Sequence, residues 1–184
     1  ESTGDLICQW IPLNEDRDLQ IQAVYWPSAM EFDELSSQWY SLLNLRQGML
    51  VPNTWETELT KLPFQGQLCS CAGYMPWFGQ VRPGAGYLAV SEAPWDGAYQ
   101  CCHPAGGAVR LSYRWLPSLG AMSYPRTVRY RFFGDCDYNH LCKAYRSYVK
   151  ETGLFTSLEQ KAAQNPNVNR LIGAAFVHQC AKSH

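Results

Sequence analysis

The stretch VRLSYRW alternates apolar and polar residues without a break, Val109, Leu111, Tyr113 and Trp115 against Arg110, Ser112 and Arg114. TVRYRFF repeats the pattern, with Val128, Tyr130 and Phe132 against Arg129 and Arg131. In an extended chain successive side chains point to opposite faces, so period-two alternation specifies strands with one covered face. The segment between them, LPSLGAMSYPR, carries two prolines and a glycine and reads as a loop. The chain is therefore mainly β, and an antiparallel β-sandwich is the architecture that covers one face of each strand. The strand YLAVSEA (Tyr87–Ala93) follows the turn RPGAG as a hairpin signal. Leu19–Pro27 reads as a strand of mixed burial. EFDELSSQWYSLLNLRQGMLVP suits either a short helix through Leu35, Trp39, Leu42 and Leu43 or a strand ending at Gly48. The polar run Asn53–Gln67 reads as a connection.

After Phe133 the period changes. Asp135 or Asp137 suits a helix N-cap, and Leu141, Tyr145, Tyr148 and Val149 then share one helical face, with Gly153 at the C′ position. Thr156 and Glu159 have capping-box spacing for a second helix, SLEQKAAQ, which Pro166 ends. VNRLIGAAFVH (Val168–His178) reads as a buried apolar strand. The organisation expected is a β-sandwich over 1–133 and, over 134–184, a C-terminal helical linker of two helices and a short strand.

Composition narrows the function classes. The 184 residues suffice for one domain with a core. A net charge of −1 without a basic stripe excludes nucleic acid and a polybasic membrane contact. No apolar run approaches the ~20 residues of a membrane span. The opening ESTGDLICQW shows no signal peptide, and its first residue is not Met, so it reads as a processed or partial product; the compartment stays open between extracellular and cytoplasmic. Eight cysteines, Cys8, Cys69, Cys71, Cys101, Cys102, Cys136, Cys142 and Cys180, permit disulfides without specifying a pairing. Their spacings with His103 and His140 match no paired C-x2-C zinc module, so no metal and no cofactor is expected. In CCHP, Cys102 and His103 would point to opposite faces of a strand, which disfavours a thiolate–imidazole pair.

Four segments taken in order, YMPWFG, GYLAVSEAPWDGAY, RWLPSLGAMSYPRTVRYRFF and DYNHLCKAYRSYVKETGLFTSLEQKAAQNPNVNRLIGA, resemble a group of large bacterial-type glycoside hydrolases. In that group a β-sandwich loosely like galactose mutarotase precedes a (β/α)8 catalytic barrel. The resemblance implies an accessory, non-catalytic region, with Tyr145, Arg146 and Tyr148 at the interface with a catalytic barrel or another subunit and RLIGA leading toward the first barrel strand. Two alternatives stand beside it, a stand-alone carbohydrate-binding module and a structural or assembly protein derived from a glycosidase fragment.

Glycoside hydrolysis needs two carboxyl groups about 5–5.5 Å apart when retaining and wider when inverting. Glu92, Asp96, Asp135 and Asp137 have the right chemistry but no spacing that demands a pair, so no catalytic residue is assigned. Carbohydrate binding needs an exposed aromatic face beside hydroxyl-binding groups. Trp77, Phe78, Trp95 and Asp96, flanked by prolines and glycines, are the carbohydrate-binding candidates; Trp77 and Trp95 also suit core positions that close the sandwich ends. Trp115 continues an apolar face and reads as core. Arg114 and Arg126 read as supports for a neighbouring domain or as solvated arginines.

Overall fold

The computed structural model describes residues 4–13, 21–30, 38–44, 48–54, 64–69, 73–102 and 107–175. Ten strands are formed among the described residues: β1 Leu6–Trp10, β2 Val24–Tyr25, β3 Tyr40–Leu43, β4 Met49–Pro52, β5 Phe64–Gln67, β6 Trp77–Arg82, β7 Ala85–Ser91, β8 Gly97–Cys102, β9 Arg110–Trp115 and β10 Arg126–Phe133. They make two antiparallel sheets, one of six strands in the order β1-β10-β7-β6-β3-β4 and one of four in the order β2-β9-β8-β5. The helices α1 (Tyr138–Glu151) and α2 (Leu158–Gln164) follow, then a 3-10 helix, Pro166–Leu171.

The alternation read from the sequence decides which side chains meet. Leu111, Tyr113 and Trp115 of β9 and Val128 and Tyr130 of β10 enter one core with Leu43, Val51, Phe78, Tyr87, Ala89 and Tyr99, so the sheets face each other. A set of polar side chains is hydrogen-bonded inside this core. The Tyr113 hydroxyl donates to the Ala89 carbonyl at 2.9 Å. Gln80 Nε2 donates to Ser41 Oγ at 2.9 Å and to the Val109 carbonyl at 3.0 Å, and Gln80 Oε1 accepts the Tyr87 hydroxyl at 2.7 Å. Such a satisfied network fixes the pairing of sheets, because an orphaned buried partner costs roughly 1–3 kcal/mol.

The outer face of the six-stranded sheet is covered by different means on its two halves. Over β6 and β7 lies the start of α1, with Leu141 fully buried; a Cβ at Gly79 would come within 2.6 Å of Leu141 Cδ1 and 2.7 Å of the Tyr87 carbonyl oxygen. Over β10 and β1 lies an ion network. Arg131 grips Asp5 with two bonds of 2.8 and 2.9 Å, and Arg129 bridges Asp5 at 3.0 Å and Glu92 at 2.6 Å. The Arg131 bonds, reinforced by Arg129, hold the Asp5 carboxyl below its ordinary value.

The sequence reading needs several corrections. Leu6–Trp10, Phe64–Gln67 and Gly97–Cys102 are strands; Phe64–Gln67 falls in the stretch read as a connection, and Leu6–Trp10 had no element assigned. Of the helix-or-strand segment, Tyr40–Leu43 and Met49–Pro52 are strands meeting around Gly48, whose φ of +103° suits glycine; Glu31–Ser37 lie outside the described residues. Asp137 caps α1: its Oδ1 accepts the His140 amide at 2.9 Å, while His140 Nδ1 accepts the Asp137 amide at 3.2 Å. The second helix is capped by Ser157 with Gln160 rather than by Thr156 with Glu159. Val168–Leu171 are not a strand. They belong to the 3-10 helix that Pro166 opens and the Asn165 side chain caps, with Leu171 and Ile172 exposed; Phe176–His178 lie outside the described residues.

The chain divides into two compact units, 1–145 and 146–184. The second holds the end of α1, where Gly153 at φ +72° terminates the helix as its position implied, and where Arg146 and Lys150 lie 5.9 and 5.4 Å from the Phe155 ring centre.

Candidate functional site

The register fixes one end of the first unit as the place where loops converge. Trp10 pairs with Arg126, Leu43 with Phe78, Val90 with Trp77, and Trp115 with Gly97, so β1, β3, β7 and β9 finish there and β6, β8 and β10 begin there. At its centre sits a ring of contacts around Arg126. This guanidinium is fully buried, 3.2 Å from the Tyr124 ring centre, and donates to the Tyr124 carbonyl at 2.5 Å and the Leu116 carbonyl at 3.4 Å. The Tyr124 hydroxyl donates to Asp96 Oδ2 at 2.5 Å, and Arg126 stands 3.8 Å from the same oxygen. Burial draws the Arg126 pKa down, and Tyr124 and Asp96 oppose that shift. Burial and the Asp96 bond raise that of Tyr124.

Backbone bonds close the ring. The Leu116 amide donates to the Asp96 carbonyl at 2.8 Å, and the Gly97 amide to Pro94 at 3.0 Å. The 94–97 turn and the 116–125 loop are thereby tied to each other and to the root of β10. Arg126 is thus not a solvated arginine; it is a buried tie between two loops. Alternation along β10 puts it on the inner face, and burial beside a partly exposed carboxylate was the part not readable from sequence. Its partner Tyr124 lacked any distinguishing signal beyond the neighbouring prolines.

The four carbohydrate-binding candidates are not brought together. Trp95 is 76% exposed at the tip of its turn, and Asp96 beside it keeps a quarter of its side chain in solvent. Trp77 and Phe78 are 4% and 1% exposed. The Trp77 ring stacks on Tyr145 at 5.5 Å, and Phe78 packs on Tyr113 at 4.7 Å. A covered ring offers no face to a sugar, so only Trp95 and Asp96 meet the stated requirement. Asn44 holds the approach to β6, donating to the Met75 and Trp77 carbonyls. Trp115 is core as read, with Nε1 donating to the Trp26 carbonyl at 2.6 Å.

Of the interface candidates, Tyr145 is engaged with Trp77, Arg146 lies over Phe155, and Tyr148 is buried. Glu92 pairs with Arg129 and Asp137 is a cap, so neither is a free acid in a catalytic pair. Among the described residues no three His, Cys, Asp or Glu side chains gather as a metal site. The described thiols Cys8, Cys69, Cys101, Cys102, Cys136 and Cys142 are free; Cys71, Cys180 and His103 lie outside the described residues. Burial lifts the Cys101 thiol to about 12, which leaves it unreactive.

No protein-family model and no curated protein matches the chain. Solved structures do. The α-N-acetylgalactosaminidase NagBb of Bifidobacterium bifidum, in complex with GalNAc, is 41% identical with a TM-score of 0.83 over 96% of this chain. The same enzyme with Gal-NHAc-DNJ gives 41% and 0.84, and without ligand 40% and 0.81. The chain matches part of a glycoside hydrolase. It spans 29% of the length of that enzyme.

Proposed function

We propose that the chain is a non-catalytic accessory β-domain of a glycoside-hydrolase-like protein, a mutarotase-like sandwich that supports a (β/α)8 catalytic barrel and leads into it through the 134–184 linker. One observation carries this reading: nearly the whole chain, at 41% identity, corresponds to less than a third of a glycosidase. The acids add weight, since Glu92, Asp96 and Asp137 each have a structural partner. By likeness to the bifidobacterial enzyme, the parent protein would act on α-linked N-acetylgalactosamine or a related galactoside. The test is the intact mass of the protein in its native source. A mass well above the 20.9 kDa of this chain is expected. A native product of 20.9 kDa would refute the accessory role.

The exposure of Trp95 beside Asp96 favours a second reading, a carbohydrate-binding module with these two residues at the site. Titration of the chain with N-acetylgalactosamine, read at the Trp95 indole resonance, tests it. Saturable shifts that Trp95→Ala abolishes would support it; an unmoved resonance would dismiss it.

A further inference from the structure

Among the described residues, the loops of the converging end carry six large apolar side chains in solvent: Ile11, Leu13, Tyr74, Met75, Trp95 and Leu119. Exposed apolar residues are ordinary when scattered; several on the loops of one end are what an interaction surface needs. Leu119 is the most informative of them. It occupies the first central position of a two-residue turn closed by reciprocal bonds of 2.8 and 3.0 Å between Ser118 and Ala121. Its φ is +49°, followed by Gly120 at +86°, the both-positive pattern of a type I′ turn. Asn, Asp or Gly suits that position; a bulky apolar residue is strained there. Its side chain is nonetheless fully exposed, at 105% of its reference area. Leu119 therefore carries backbone strain and full exposure at once, and no contact among the described residues offsets either.

We infer that this loop end is a docking surface for the catalytic module of a glycoside-hydrolase-type polypeptide, with Leu119 and Trp95 as its apolar anchors. The inference rests on the accessory role proposed above. The occupant is a protein body rather than a sugar, because Ile11, Leu13, Met75 and Leu119 offer a pyranose neither a hydrogen bond nor a flat ring. The matched glycosidase supplies such a body, since the region corresponding to this chain is 29% of its length. The Arg126 ring ties the Trp95 turn to the loop of Leu119, so the surface is preformed and loses little freedom on docking.

The test is a substitution whose sign reverses with context. Leu119→Asn relieves the turn, so the free 184-residue chain should melt about 2 °C higher. In the bifidobacterial enzyme carrying this chain in place of its matched segment, the same substitution removes an anchor, and the chimera should melt several degrees lower. Hydrogen exchange at 73–76, 92–96 and 116–125 should be at least tenfold slower in the chimera than in the free chain. Shifts of the same sign in both contexts, or unchanged exchange at these loops in a folded, active chimera, would overturn the docking surface and leave the accessory role standing. A chimera that does not fold would overturn the accessory role itself. Saturable shifts of the Trp95 indole by N-acetylgalactosamine alone would make the end a sugar site and overturn the inference.

Discussion

Replacing Arg126 by Lys keeps the charge and removes the geometry. The planar guanidinium stacks on Tyr124 and reaches two carbonyls, at 2.5 and 3.4 Å, from a fully buried position. A lysine ammonium can serve one of those carbonyls and cannot stack in the same way. The lost stacking is worth about 2 kcal/mol when desolvated. The lost charged bond is worth about 1.5 kcal/mol, the low end of the range, because the Leu116 contact is long. Against this, Arg126 Nε is buried without a partner, and its removal returns about 1 kcal/mol. The net expectation is a destabilisation of about 2–3 kcal/mol, read by urea unfolding of the 184-residue chain. Tyr124→Phe deletes the hydroxyl bond to Asp96 and should cost about 1 kcal/mol. Both changes loosen the same carboxylate, so the double variant should depart from additivity by at least about 0.5 kcal/mol. A change at Arg126 within about 0.5 kcal/mol, with strict additivity, would refute the idea that these residues act as one tie.

Three further outcomes follow from the rest of the fold. Gly79→Ala should destabilise by about 2 kcal/mol or more, because the added methyl meets the Tyr87 carbonyl as well as Leu141; a neutral unfolding curve would mean α1 is not seated on β6. Asp5 titrates below its ordinary value of 3.8 in the folded chain, so its stabilisation is present above that pH and lost as pH falls through the depressed value. Asp5→Asn should thus cost about 1 kcal/mol at pH 7 and progressively less as the pH falls below 3.8, and a pH-independent difference would exclude the ion network as the cause. Iodoacetamide at pH 8 should alkylate exposed Cys142 well before Cys101, whose thiol titrates at about 12; the reverse order in peptide mass spectra would contradict the buried placement of β8.

The sequence was most legible where one periodicity acted alone. VRLSYRW and TVRYRFF became β9 and β10 because their two faces differ so sharply in polarity that only one register buries the apolar set. Only the end of GAYQCC, at Cys102, read as strand. It is covered on both sides along most of its length, and such a strand lacks the alternation that marks β9. The same limit applies to the candidate site. Trp77 and Trp95 look alike in sequence, each next to a proline, yet one enters the outer face of β6 beneath Tyr145 and the other tips a turn into solvent. Only strand register separates them. Arg126 was equally opaque, since an arginine at the foot of a strand is ordinary until the loop that bends back over it is known.

The proposed accessory role makes this chain the support of a glycosidase and not its catalyst. The direct measurement is hydrolysis of p-nitrophenyl α-N-acetylgalactosaminide and the corresponding α-galactoside by the purified 184-residue chain. No turnover above the heat-denatured protein is expected. Turnover that disappears when any one carboxylate of this chain, such as Asp96 or Glu92, is changed to its amide would contradict it.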